Sequence, residues 1–126
     1  MSKTMLDIIA KSMDSLKINY DFGEWKGEPK YPYFVGSYQE TPPLYEDGMQ
    51  ETTFTMTGFS RSDWESLEEA KDKISNYFNK VSGKTVIAED GSAVAVFYSD
   101  SLVVPTGDAE LKRIEINLSI KEWSVN

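Results

Sequence analysis

Near its end the chain reads Ile114-Glu-Ile-Asn-Leu-Ser-Ile-Lys121, with an apolar residue at every second position. Successive side chains of a β-strand point to opposite faces, so this alternation places four apolar residues on one face. The stretch therefore predicts a long strand that packs on the core through one face and meets water through the other. It indicates that a β-sheet organises the fold.

Shorter stretches of the same kind precede it. Alternation and a high content of β-branched and aromatic residues predict five more strands. They cover residues 18–22, 33–38, 51–60, 85–89 and 93–99. The dipeptide Asp90-Gly91 lies between the last two and favours a type I′ hairpin turn. A brief apolar run, Leu102–Val104, is closed by Pro105 and is read as a separate segment.

Two segments have helical periodicity. In the first, apolar residues between Met5 and Leu16 recur mostly at three- and four-residue steps. The second covers residues 63–81 and carries one apolar stripe. Ser62 and Glu65 have the spacing of a capping box, and Gly83 follows as a C-terminal cap would. Each helix therefore has a single face to bury.

This order of elements predicts one α+β domain over residues 1–126. The chain length lies within the usual range of a single domain, and no boundary or internal repeat is visible. Because each helix has one apolar stripe, we expect a single mixed or mainly antiparallel sheet with both amphipathic helices packed on one of its faces.

Composition excludes several kinds of chemistry. Cysteine and histidine are both absent, which removes thiolate nucleophiles, sulfur-ligated zinc and the usual general base near neutral pH. The formal net charge of −8 and the scattered basic residues disfavour specific binding of nucleic acid. No apolar run has the length of a signal peptide or membrane span, so we expect a cytoplasmic protein without membrane contact.

Carboxylates are the remaining candidates for catalysis or metal binding. The pairs Glu46–Asp47 and Glu89–Asp90 both precede glycine, a position typical of turns. Asp100, Asp108 and Glu110 offer oxygen ligands for calcium, but their spacing does not match an EF-hand. We therefore predict that the chain is not an enzyme and holds no cofactor or metal.

Two predicted loops are the candidates for function. Trp25–Tyr45 is rich in aromatic residues and proline, and Ser99–Asp108 combines proline, glycine and aspartate. Long loops on a rigid sheet commonly carry binding residues, and Tyr and Trp are enriched in interfaces. The candidate protein-interface residues are Trp25, Tyr31, Tyr33, Tyr38, Tyr45, Asp47, Asp100 and Asp108.

Two other interpretations of the aromatic segment stay open. The rings could fold back and cover the edge of the core, because aromatic side chains bury large areas. Alternatively, Trp25, Tyr31 and Tyr33 could line an apolar pocket in a small-ligand-binding α+β domain. A deep pocket at these three residues would support the second interpretation.

Three strings in the chain resemble a known family. They are Tyr31-Pro-Tyr-Phe-Val-Gly36, Glu46-Asp-Gly-Met-Gln-Glu51 and Val104-Pro-Thr-Gly-Asp-Ala-Glu-Leu-Lys-Arg-Ile114. With them the chain resembles small tail-terminator (tail-completion) proteins from phages and prophages of Gram-positive bacteria. The similarity runs over nearly the whole chain, but none of the strings is a catalytic signature.

The resemblance implies a structural role. Tail terminators have a sheet with flanking helices and form a hexameric ring on the head-proximal end of the tail tube. The ring ends tube growth and offers a docking face to the head. The resemblance thus implies a homo-oligomer whose partners are the tail tube protein and the head–tail connector. Its location would be the host cytoplasm during assembly and then the virion tail. A head–tail adaptor or minor capsid protein is the alternative.

Overall fold

A computed structural model describes residues 3–40, 49–61, 63–79, 83–89 and 91–123. The described residues form two helices and six strands in the order α-β-β-β-α-β-β-β. The helices are α1 (Lys3–Ser15) and α2 (Glu65–Tyr77). The strands are β1 (Tyr20–Phe22), β2 (Tyr33–Glu40), β3 (Met49–Ser60), β4 (Lys84–Ile87), β5 (Ala93–Val104) and β6 (Lys112–Trp123).

The six strands form one sheet in the order β1-β2-β3-β6-β5-β4. β1 runs parallel to β2, and every other neighbouring pair is antiparallel. β3 and β6 pair over their full length, from Met49 opposite Trp123 to Ser60 opposite Lys112. The strand with the clearest alternation therefore lies at the centre of the sheet.

The core is formed by the inner side of the curled sheet, which we call the inner face, together with side chains of both helices. Ile114, Ile116, Leu118 and Ile120 of β6 are all buried, as their alternation predicts. Both helices contribute buried side chains to the same cluster. The other members of that cluster are Met5, Ile9, Met13, Phe34, Phe54, Met56, Leu67, Ala70, Ile74, Phe78, Val94 and Val96.

The prediction of a single sheet with two helices packed on one face is wrong. Strands hold 47% of the described residues and helices 24%, so the chain is mostly sheet. The strands curl into half of a barrel, and the helices complete the core of this curled sheet.

Long strands and local irregularities explain the curl. Three strands have twelve residues each, and twist accumulates along strands of that length. The register of β5 against β6 shifts between Tyr98 and Asp100, and such a bulge bends a strand. Gly36 and Gly58 lie inside strands where aromatic rings occupy the space that a Cβ would need. Alternation shows which side chains face inward but carries no information on curvature.

β5 also differs from its prediction. Residues 93–99 and Leu102–Val104 were expected as two segments, but they form one continuous strand with the bulge between them. The hairpin of β4 and β5 is present, and Gly91 has a positive φ of 89°. Asp90 lies outside the described residues, so its part in the turn stays a prediction.

α2 is shorter than predicted and begins differently. It starts at Glu65, and the Asp63 carboxylate accepts a hydrogen bond from the backbone N–H of Ser66 at 2.9 Å. Ser62, the predicted cap, lies outside the described residues. The helix ends at Tyr77, before Gly83, whose φ of 62° belongs to the connection to β4. Neither described helix is long and apolar enough to cross a membrane.

Candidate protein-interaction surface

On the outer face of the sheet, the ring of Tyr33 contacts three other aromatic rings. The ring centroids of Trp25 and Tyr33 lie 4.8 Å apart, and those of Tyr31 and Tyr33 lie 5.5 Å apart. The ring centroid of Phe59 lies 5.2 Å from that of Tyr33. Contacts at these distances stabilise aromatic pairs beyond the area they bury.

Strand register explains why Tyr33, Phe59 and Arg113 lie side by side. Tyr33 at the start of β2 is the Cα partner of Phe59 in β3, and Phe59 is the partner of Arg113 in β6. Their chain neighbours Phe34 and Ile114 are buried on the inner face, so these three side chains point outward. Three strands thus present one line of side chains across the sheet.

Two arginines border the rings. The Arg61 guanidinium lies 5.8 Å from the centre of the Tyr31 ring, and its Nε donates to Tyr31 Oη at 3.2 Å. Arg113 lies 5.9 Å from the centre of the Phe59 ring. Cations over aromatic faces are attracted by the ring quadrupole. We call Trp25, Tyr31, Tyr33, Phe59, Arg61 and Arg113 the aromatic–arginine cluster.

Each of the two arginines also contacts a carboxylate. Arg61 Nη1 lies 3.7 Å from Asp108 Oδ2, and Arg113 Nη2 lies 3.1 Å from Glu115 Oε1. The hydrogen bond to Tyr31, and then the nearby acids, raise the pKa of Arg61. Because Arg61 and Asp108 are both about half exposed, this ion pair orients the guanidinium more than it stabilises the fold.

The loop before β2 is fixed by its own hydrogen bonds. Trp25 Nε1 donates to the carbonyl oxygen of Glu28 at 2.9 Å, and the N–H of Lys26 donates to Asp21 at 3.2 Å. Asn19 Nδ2 donates to the carbonyl oxygen of Pro32 at 3.2 Å. The indole is half buried against Tyr33, so its position is determined before any partner binds.

Half of the residues predicted for an interface meet here. Trp25, Tyr31 and Tyr33 belong to the aromatic–arginine cluster, and Asp108 contacts it through Arg61. Tyr45 and Asp47 lie outside the described residues, so their role stays a prediction.

Tyr38 and Asp100 lie elsewhere. Tyr38 stacks on Phe22 at 5.9 Å, and Phe22 in turn stacks on the buried Phe54 at 6.2 Å. These rings extend the edge of the core, as the alternative interpretation of the aromatic segment expects. Asp100 accepts a hydrogen bond from Asn117 Nδ2 at 2.7 Å, on the bulged part of β5.

Sequence reasoning missed Phe59, Arg61 and Arg113. Each lies in or next to a strand that was interpreted only for its buried face. The available signal was the alternation of the strands, which places Phe59 and Arg113 on the outward face. Pairing them with Tyr33 needed the register of three strands, which the sequence does not provide.

The larger described cavities do not coincide with the pocket expected at Trp25, Tyr31 and Tyr33. One of about 300 Å³ lies between Trp64 and the β5–β6 loop, and one of about 370 Å³ lies between α1 and β4. Within the described ranges, no three acidic side chains converge closely enough to hold a metal ion.

Comparison of the chain with protein-family models and with curated proteins finds no match.

Proposed function

We propose that this protein is a phage tail-assembly subunit that caps the head-proximal end of the tail tube as a ring. The ring would end tube growth and form the face that joins tail to head. Its partners would be further copies of the chain, the tail tube protein and the head–tail connector. The protein would act first in the host cytoplasm and then in the virion tail.

The observation that supports this proposal is where the resembling strings meet. Tyr31–Gly36 and Val104–Ile114 lie about seventy residues apart in the chain, yet both contribute to the aromatic–arginine cluster and its rim. Arg61 connects them directly, because it contacts Tyr31 in one string and Asp108 in the other. Two of the three strings that carry the resemblance thus meet at one exposed surface.

The composition of that surface suits a protein partner. Aromatic residues and arginine dominate the residues that contribute most to binding at protein interfaces. A ring also needs a head-to-tail contact, in which one patch of a subunit meets a different patch of its neighbour. The aromatic–arginine cluster supplies one such patch on a rigid part of the sheet.

Deletion of the gene tests the role. A phage that lacks a tail terminator should make tails of uncontrolled length that do not join heads, which electron microscopy of the lysate would show. Normal-length tails detached from normal heads would instead indicate a head–tail adaptor or minor capsid component. Infectious particles of unchanged shape and number would exclude both roles.

A further inference from the structure

The outer edge of β5 is open over half of its length. β4 pairs only with residues Ala93–Val96, so the rest of β5 has β6 as its sheet neighbour on one side. The N–H of Tyr98 donates to the carbonyl oxygen of Phe78 at 2.7 Å. Beyond that bond, no backbone partner from the described ranges reaches the outer edge between Ser99 and Val104.

The strand register shows which backbone groups face this edge. The N–H of Tyr98 points away from β6, so Tyr98 and its partner Leu118 form a non-hydrogen-bonded pair. Hydrogen-bonded and non-hydrogen-bonded pairs alternate along an antiparallel ladder, so Ile116 and Ile114 also form non-hydrogen-bonded pairs with β5. Their partners are Ser101 and Val103. These two residues therefore direct their N–H and C=O groups outward. The edge offers two donors and two acceptors at strand spacing.

Apolar side chains surround these backbone groups. Leu102 and Val103 are 47% and 54% exposed, on opposite faces of the strand. On the inner side, Val103 lines the cavity of about 300 Å³ together with Trp64 and Leu111. A strand added along this edge would bury side chains in that cavity while its backbone satisfied the open groups of β5.

Acidic residues predominate around the edge. Carboxylates outnumber basic groups around the cavity and along this part of β5, and each basic group already contacts an oxygen atom of the chain. The carboxylates are Asp63, Glu65, Asp100, Asp108 and Glu110, and the basic residues are Arg61, Lys112 and Arg113. This charge, added to the net −8 of the chain, complements a basic segment.

We propose that the open edge of β5 binds an extended segment of a partner protein in which apolar residues alternate with lysine or arginine. The segment would add one strand to the sheet beside Ser101 and Val103 and place an apolar side chain next to Trp64. The bulge at Tyr98 and Asp100 and the proline at position 105 limit the edge to one short strand. This binding does not depend on the proposed role in the phage tail.

A second copy of the chain, paired through the same edge, is a poorer occupant. This pairing would bring two acidic edges together, and like charges repel each other. A partner with basic residues gains attraction at the same place. The charge of the occupant therefore distinguishes a basic partner segment from a second copy of the chain.

NMR titration tests the proposal. The probe is a blocked synthetic heptapeptide with alternating valine and lysine, and its matched control alternates valine and glutamate. We expect the lysine peptide to shift the amide signals of Ser101 and Val103 and to slow their hydrogen exchange. The glutamate peptide should bind at least about ten-fold more weakly because its charge opposes that of the edge.

Two substitutions locate the site. Val103→Pro removes an outward-facing N–H without removing a β5–β6 hydrogen bond, so it should weaken binding of the lysine peptide about ten-fold. Thr85→Pro makes the same change at the outer edge of β4 and should leave binding unchanged, because the register of β4 on β5 directs the N–H of Thr85 outward as well. A lysine peptide with N-methylated valines, which lacks the matching donors, should also bind about ten-fold more weakly.

Several results would overturn the proposal. They are equal binding of the lysine and glutamate peptides, absence of shifts at Ser101 and Val103, or undiminished binding of the N-methylated peptide. Concentration-dependent shifts of the same amides without any peptide would show that a second copy occupies the edge instead. The N-methylated peptide leaves the protein unaltered, so the test holds even if Val103→Pro fails to fold.

Discussion

Tyr20 carries a buried hydroxyl without a hydrogen-bond partner among the described residues. Its ring packs against the core, and its Oη lies where a Cβ on Gly36 would reach. Burial, and then the adjacent Asp21 carboxylate, raise the pKa of Tyr20 well above its usual value. A buried hydroxyl without a partner costs stability because it has given up its hydrogen bonds to water.

Removing this hydroxyl should therefore stabilise the protein. Near neutral pH, we expect Tyr20→Phe to leave the free energy of unfolding unchanged or raise it by about 1 kcal/mol. Above pH of about 10 the unfolded chain loses the Tyr20 proton while the folded chain retains it, so wild-type stability falls as pH rises. The variant lacks this loss, and its advantage should grow with pH.

Urea unfolding between pH 7 and pH 11 measures the effect. Tyr38→Phe removes an exposed hydroxyl and is the matched control. A clear destabilisation by Tyr20→Phe near pH 7 would show that the hydroxyl has a partner, contrary to the described geometry.

At the scale of elements, the start of α2 shows that neighbouring residues can be equally suited to cap a helix. The sequence predicts Ser62 and Glu65 as a capping box, but the observed bond to Ser66 comes from the Asp63 carboxylate. Ser62 and Asp63 both precede the same apolar stripe, and each has a side-chain oxygen that can accept a hydrogen bond from the first turn of a helix. Element boundaries are therefore less certain from sequence than the elements themselves.

Asp63→Ala should remove this bond and lower the free energy of unfolding by about 1 kcal/mol. Asp72→Ala, an exposed position within the same helix, removes the same charge without removing a helix cap and should change stability much less. Thermal and urea unfolding of both variants provide the comparison. Equal losses in the two variants would indicate that the carboxylate at position 63 does not cap the helix.

For the whole molecule, local patterns predict the elements but not their arrangement. The alternation from Ile114 to Ile120 predicts the central strand and its buried face. The helical stripes are buried in large part, but Trp64 in the second stripe is 39% exposed. The curled shape was missed because it depends on a bulge and on rings that lie over Gly36 and Gly58. Such contacts join residues that are distant in the chain.

The candidate surface was predictable only in part, because its residues also come from distant places in the chain. Aromatic content singled out Trp25, Tyr31 and Tyr33, which do contact one another. Their arginine neighbours come from β3 and β6 and are brought beside them by strand register. A single sequence shows which residues suit a contact surface, but only the sheet shows which of them share one.

The most direct test is electron microscopy of tail tubes, assembled from the tube protein of the same phage and incubated with the purified chain. We expect extra density as a cap at one end of each tube. At limiting concentration, Arg61→Ala should reduce the capped fraction about ten-fold, because interface arginines commonly contribute more than 1 kcal/mol to binding. Lys73→Ala, which removes a positive charge from an exposed position of α2, should cap like the wild type. Tubes with bare ends, or equal capping by Arg61→Ala, would contradict the account.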